Sequence, residues 1–391
     1  MRQSRYGALG VDVHKAGIEA FRDITSGLYR HAFCEIHPDP DFPGYGFVHH
    51  SDGAGSKPVQ NYLNWKVTGN LECYRGIAQD TLAMNIGDAL CVGIPTSGSF
   101  VDYVAINGLH VPKKDVLRIL AEDWKALFQM LGEHGIRIAF AGGETADLPD
   151  QLKTFDVSGA IHARYRLDSV ITGEDIRPGD VIIGLASGGQ ASYESRPAGA
   201  IMSNGLTLAR HCLMRSEFGE KYPEIREPGK EYTGPFSPTD VVGGIEGTIG
   251  EEITRPTRIF APVFRGVIDQ FGDSIHGIVF NTGGGHTKCL RTGDGIRYVK
   301  DDMPEPPAIF RLVKQHGNVP WREMYTDFNM GVGAEVYADK GAVSEVPRYV
   351  QEEFGIGASR IGECARAIDH NKVRLETPYG SFNFPTRQRK G

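Results

Sequence analysis

The sequence predicts an α/β (α+β) protein of two domains, on three observations. Strand-like apolar runs and helix-period patterns mix in both halves of the chain. Several glycine clusters directly follow a strand-like run, where α/β proteins often place ligand loops. A polar segment carrying a Pro-Gly turn signal separates two apolar strands near the middle of the chain.

The elements follow in order. YGFVHH (45–50) reads as a strand and feeds SDGAGSK (51–57). A helix is expected from about Glu72 to Leu90. Leu117, Leu120, Trp124, Leu127 and Leu131 recur at three- and four-residue steps, the mark of an amphipathic helix. Gly132 and Gly135 end it. IRIAF (136–140) is strand-like and feeds AGGETAD (141–147), and FDVSGAIHARY (155–165) reads as the next strand. LDSVITGEDIRPGD (167–180) is the polar segment, after which VIIGLAS (181–187) opens a new strand. The division is placed at about Leu167, giving domains 1–167 and 168–391. The polar stretch from Arg215 to Gly250 is read as an excursion within the second domain, and the tail RQRKG as frayed.

Composition narrows the function classes. Hydrophobic residues make up 40% and charged residues 23% of 391 residues, enough for a core of normal size without staples. Six cysteines, none at CxxC spacing, point to reduced thiols rather than a disulfide framework or a zinc site. A net charge of −7 argues against a nucleic-acid partner. No run approaches the ~18 apolar residues of a membrane span, so no membrane partner is expected. The N-terminus has no continuous apolar stretch of the secretory kind, and a cytoplasmic protein is expected. Fifty glycines stand out against an average near ~7%, and they cluster, which lets backbone approach a ligand closely.

The clusters carry the candidate chemistry. In Ser51–Lys57, the amides of Gly53, Gly55 and Ser56 can form an anion nest, Lys57 offers a point charge for phosphate, and Asp52 can hold a metal ion. A structural turn is the plain alternative. Asn85 and Asp88 share one face of the expected helix, whereas Asp80 and Asp88 stand ~12 Å apart along it and do not easily share an ion. Gly142, Gly143, Glu144 and Thr145 follow a strand, a placement suited to metal or substrate contact. Asp156 lies in or at the start of a strand, where acidic residues are uncommon. Thr282, Gly283, Gly284 and Gly285 suit a phosphate or a tight turn. Ser203, Asn204 and Gly205 precede the helical pattern LTLARHCL, either as an anion site or as plain capping residues. Asn329 sits in a further glycine-containing run, DFNMGVG.

The order of these motifs is more specific than any one of them. GVDVHKAG, SDGAGSK, LAMNIGD, AGGETAD and FDVSG are followed by SNG, PTRIF, TGGG, EMY-x-x-FNMGVG and RIGE. Over nearly its whole length the chain resembles the aminoimidazole ribonucleotide synthetase (phosphoribosylformylglycinamidine cyclo-ligase) family. That resemblance implies a two-domain ATP-binding synthetase fold, with first-domain strands completing a barrel across a homodimer and a C-terminal α/β domain. It implies ATP and Mg²⁺ as cofactors and formylglycinamidine ribonucleotide as substrate. By motif, Asp52, Asp88 and Asp156 would hold metal. Lys57, Asp88 and Glu144 would be catalytic. Gly53, Gly55, Ser56, Asp80, Gly142, Gly143 and Thr145 would join them around ATP. Ser203, Asn204, Gly205, Thr282–Gly285 and Asn329 would face the substrate.

The chain departs from the family pattern at several points. Met202 stands where the family has a histidine before SNG, and residues from about Gln190 to Ala200 enlarge that loop. Phe280 stands in place of a second histidine, while His276 matches an upstream one. Thr326 and Asp327 occupy a place where the family tends to have arginine. Loss of histidines removes general acid/base candidates, for which His286, His49 and His50 are possible substitutes. Three readings stay open: an active cyclo-ligase, a sister ATP-dependent enzyme with another substrate, and an inactive nucleotide-binding scaffold.

Overall fold

The computed structural model describes residues 4–12, 17, 20, 21, 25 and 27–385. Residues 13–16, within GVDVHKAG, and the tail RQRKG lie outside the described residues.

The first sheet contains β1 (His37–Pro38), β2 (Tyr45–Gly53), β3 (Ser97–Ile106), β4 (Ile138–Asp147) and β5 (Phe155–Arg166), in the order β1-β2-β5-β3-β4. Its pairs are antiparallel except β3–β4. The second sheet contains β6 (Val181–Ala186), β7 (Ile275–Phe280), β8 (Ile296–Lys300), β9 (Val332–Ala338), β10 (Ala358–Arg366), β11 (Lys372–Thr377) and β12 (Gly380–Pro385). Their order is β12-β11-β8-β10-β6-β9-β7. β7 and β9 are buried at every position, His276 and Glu335 included.

Among the described residues the helices of the first half are α1 (Arg5–Ala8), α2 (Lys57–Thr68), α3 (Ile77–Leu90) and α4 (Lys113–Glu133). α4 buries Leu120, Trp124 and Leu131 of the expected stripe, and Trp124 stacks on Phe140 of β4 with ring centroids 5.8 Å apart. The helix expected from Glu72 is shorter than its sequence pattern. Leu71–Tyr74 forms a separate 3₁₀ turn, and Gly76, at φ 93°, breaks the chain before α3 begins. β4 corrects a second expectation. AGGETAD is not a loop after the strand; β4 pairs with β3 as far as Asp147, so this segment is edge strand.

The second half adds α5 (Leu206–Leu213), α6 (Ser216–Lys221), α7 (Ile249–Thr254), α8 (Ala261–Phe271), α9 (Ala308–Gly317), α10 (Trp321–Asp327) and α11 (Glu345–Phe354). The Arg215–Gly250 excursion packs back on the first half, where the Tyr62 hydroxyl donates to Glu224 at 2.5 Å. All six cysteines are free. No helix among the described residues is long and apolar enough to cross a membrane.

One face of the first sheet is covered by α3 and α4. β5 alternates buried and half-buried residues along its length. The other face stays open among the described residues, with Val101 and Tyr103 each 41% exposed.

Candidate functional site

Motifs far apart in sequence meet between the two sheets. β2 ends at Gly53, a short turn follows, and α2 starts at Lys57. Gly55 in that turn has φ 61°, and a Cβ there would lie 2.8 Å from the Ser203 carbonyl oxygen. Ser56 Oγ lies 2.8 Å from Thr207 Oγ1 at the start of α5, and Arg210 of α5 donates to the Ser56 carbonyl at 3.0 Å. Asn204 Nδ2 is 3.9 Å from the Met84 sulfur of α3. A Cβ on Gly283 would lie 3.2 Å from Asn204 Oδ1, and one on Gly87 would strike the Phe280 ring at 2.6 Å. SDGAGSK, LAMNIGD, SNG and TGGG therefore form one site.

Asp88 is its charged centre. Lys288 Nζ lies 3.2 Å from each carboxylate oxygen of Asp88 and also contacts Thr282 Oγ1. His50 Nε2 is 3.4 Å from Asp88 Oδ2, and Cys34 Sγ donates to the Asp88 carbonyl at 3.1 Å. Burial pushes the Asp88 carboxyl up, but Lys288 and His50 outweigh it and hold its pKa below the usual value. Burial likewise opposes a charged His50, yet the adjoining Asp88, with help from Asp52, raises its pKa. Asp52 is fixed through its backbone: its N–H donates to Asn85 Oδ1 at 3.1 Å and its carbonyl accepts from Asn85 Nδ2 at 3.0 Å. Burial, and then the charge of Asp88, raise the Asp52 pKa.

Lys57 and Asp80 are placed differently from the expectation. Both are fully buried, with Lys57 Nζ 2.6 Å from Asp80 Oδ1 and 2.7 Å from the Arg255 carbonyl. Asp80 Oδ1 also accepts from Thr257 N at 2.7 Å and from Ser203 Oγ at 3.0 Å. The lysine expected at phosphate is turned inward, and Ser203 points the same way. These residues join the first glycine turn, α3, SNG and PTRIF behind the site. Asn329 is also a backing residue; its amide donates to the Ala200 and Ile201 carbonyls at 2.9 and 3.2 Å. Gly205 and Gly285 fit only as glycines: φ is 76° and 48°, and a Cβ would meet the Phe328 ring at 2.1 Å and the Phe328 carbonyl at 2.5 Å.

The remaining expected carboxylates lie elsewhere. Asp52 pairs with Gly159 of β5, so it shares the helix-covered side with buried Val157 and Ile161. Asp156 is of opposite parity along β5 and falls on the open face. Glu144 is exposed and pairs with Tyr103, on the same open face, and the Gly142–Thr145 strand lies beyond β3 at the sheet edge. Within one chain, Glu144, Asp156 and the Gly142–Thr145 backbone are not brought to Asp52 and Asp88.

A magnesium ion needs carboxylate oxygens with free lone pairs. Asp52 fits, since its carboxylate accepts from Gly53 N at 2.7 Å and keeps further acceptor capacity. Asp88 does not fit as it stands, because the Lys288 ammonium faces both its oxygens. Among the described residues, the groups of three ligand atoms within 4.8 Å of one another are Cys34–His50–Asp88 and Asp180–His276–Asp339, and neither holds two of the three expected metal carboxylates.

The histidine substitutes also separate. His286 is fully buried, with Nε2 2.8 Å from the Asn329 carbonyl and Nδ1 3.3 Å from Glu335. His49 pairs with His162 on the open face at 3.3 Å. Of the three, His50 stands at the site. Lys288 was not singled out by sequence. The signal available was a lysine three residues after a triple glycine, the same residue type that drew attention to Lys57.

The fold and site define a two-sheet α/β protein with a glycine-loop cleft between the sheets. No protein-family profile matches the chain. Its relatives do: it is 31% identical over 338 residues to the phosphoribosylformylglycinamidine cyclo-ligase of Methanocaldococcus jannaschii, covering 86% of this chain and 83% of that one. It is 32% identical over 331 residues to the protein of the same name from Methanobrevibacter smithii, covering 85% and 83%. The chain belongs to the phosphoribosylformylglycinamidine cyclo-ligase family. Among solved structures, hydrogenase maturation protein HypE in complex with ATP matches with a TM-score of 0.54 at 14% identity, covering 90% of this chain and 88% of that one. Phosphoribosylformylglycinamidine synthase II from Thermotoga maritima matches with a TM-score of 0.51 at 13% identity, covering 97% of this chain and 50% of that one. At these identities the likeness is one of fold.

Proposed function

We propose that this chain closes the imidazole ring of aminoimidazole ribonucleotide. ATP phosphorylates the formyl oxygen of formylglycinamidine ribonucleotide, a substrate nitrogen attacks that carbon, and phosphate leaves; ADP is the other product. The observation that carries this reading is the meeting of SDGAGSK, LAMNIGD, SNG and TGGG in one cleft, in a chain of this family.

Phosphoryl transfer asks mainly for positioning and charge neutralisation. The backbone amides of Gly55 and Ser56 and of Gly283 and Gly284 offer donors for phosphate oxygens, whereas those of Gly53, Ala54 and Gly285 donate within the protein. The α5 N-terminus at Gly205 offers more for the substrate phosphate. Asp52 would hold the magnesium ion, whose chemistry when bound is to neutralise phosphate oxygens. His50 is the histidine placed to exchange a proton. Lys57, Asp80 and Asn329 act by holding these loops in place. The ATP complex of a protein with the same fold supports the nucleotide assignment.

The same reading divides the chain at about Leu167, in keeping with sheets that end at Arg166 and begin again at Val181. It pairs two chains through the open face of the first sheet, with Glu144 and Asp156 in the contact region, and places the protein in the cytoplasm.

The test is joint assay of aminoimidazole ribonucleotide and ADP from Mg-ATP and formylglycinamidine ribonucleotide. Equal yields of both, abolished by Asp52→Ala, are expected. ADP without the imidazole product would instead indicate a sister enzyme with another acceptor. Nucleotide binding without either product would indicate an inactive scaffold.

A further inference from the structure

We infer that Lys288 is a built-in cation of the nucleotide cleft: its ammonium takes, at Asp88, the place that a divalent cation would otherwise fill. The role at the nucleotide rests on the ATP reading above; the occupancy of Asp88 does not.

Lys288 lies in the 3₁₀ turn Gly285–Arg291, directly after the triple glycine. That turn belongs to the second half of the chain, yet its ammonium reaches α3 of the first. An ammonium has three donors. Here they face Asp88 Oδ1, Asp88 Oδ2 and Thr282 Oγ1, so all three are accounted for. The equal 3.2 Å distances put Nζ astride the carboxylate, where a cation held by both oxygens would sit. The Phe33 ring covers it, with its centroid 4.7 Å from Nζ. Lys288 is 6% exposed and Thr282 3%.

A dication entering at Asp88 would have to displace this buried ammonium from both carboxylate oxygens and from Thr282, a costly outcome for a buried charge. Asp52, close by, makes no ion pair with a lysine or arginine among the described residues, and its carboxylate keeps acceptor capacity for one metal ion. The cleft thus meets incoming phosphates with the Asp88 charge already neutralised by Lys288 and one exchangeable site at Asp52. A fixed ammonium cannot be stripped by a chelator, so the neutralisation of Asp88 is independent of metal supply.

The experiment counts Mn²⁺ sites on the nucleotide-free, full-length protein by the electron paramagnetic resonance signal of free Mn²⁺. In wild type, Asp88→Asn is expected to leave the count unchanged. Lys288→Gln is expected to gain one site per chain, and Lys288→Gln/Asp88→Asn to lose it again. Lys288→Arg, which keeps the charge, should gain none and shows that the gain does not come from loosened packing. Loss of a site on Asp88→Asn in the wild-type background, or no gain in Lys288→Gln that remains folded by circular dichroism, would overturn the inference. Failure of wild type to bind ATP in equilibrium dialysis would overturn the functional reading and leave the Mn²⁺ count standing.

Discussion

Lys57 Nζ lies 2.6 Å from Asp80 Oδ1, and neither side chain is exposed to solvent. Burial lowers the Lys57 pKa and Asp80 only partly offsets it. Removing one member of such a pair strands the other. Lys57→Met is expected to lower stability by about 3–5 kcal/mol in urea unfolding. Lys57→Met/Asp80→Asn leaves no buried charge but keeps an acceptor for Ser203 and Thr257. It should recover most of the loss, and equal instability of the single and double variants would contradict the pairing.

Asp327 provides a pH dependence. Burial, with Glu323 adding to it, raises its carboxyl from 3.8 to about 7, and its Oδ2 has no hydrogen-bond partner. A carboxyl raised on folding stabilises the protein while protonated. That contribution is complete below the unfolded value of 3.8 and is lost as pH rises towards about 7. The loss is up to about 4 kcal/mol. Thermal unfolding of Asp327→Asn should show a higher Tm than wild type at pH 8 and little difference at pH 4. Parallel pH profiles for the two proteins would rule this out.

Glu335 has the opposite sign. It lies 2.5 Å from Lys300 Nζ and 2.8 Å from Asn281 Nδ2, and it also accepts from the Tyr337 hydroxyl. Burial opposes its charge, but Lys300 and His286 hold its pKa far below the usual 4.5. Its stabilisation is present above that value and fades as pH falls below it. Glu335→Gln should cost about 3–5 kcal/mol at pH 7, because Lys300 is left buried and unpaired. It should also flatten the acid limb of the stability curve below pH 4.5, read by guanidinium titration at stepped pH.

The open sheet face sets the oligomer prediction. Val101 and Tyr103 are each 41% exposed in the single chain. Exposed apolar area of this kind marks an interaction surface. Wild type is expected to sediment as a dimer at micromolar concentration and Tyr103→Arg as a monomer with lost turnover. A monomeric, active wild type would refute the barrel reading.

Much of this was legible in one dimension. The α4 stripe and the apolar run of β6 follow from sequence patterning, which is local. Other features were legible and mistaken. AGGETAD looks like a turn because it has two glycines, but Gly143 is a glycine because a Cβ there would strike Asp102 on the paired β3. The parity of Asp156 along β5 was available in the sequence; which parity faces the helices was not. The loss of Met202 and Phe280 as histidines was visible, but that Phe280 packs on Gly87 instead was not.

The sequence by itself determined the fold class, the order of glycine motifs and the family, because these depend on spacing along the chain and on side chains taken one at a time. Only the tertiary structure decided which cation each carboxylate meets. Asp80 meets Lys57 at a separation of 23 residues and Asp88 meets Lys288 at a separation of 200. Electrostatic pairing depends on distance through space and on burial, and neither is a property of a residue's position in the chain.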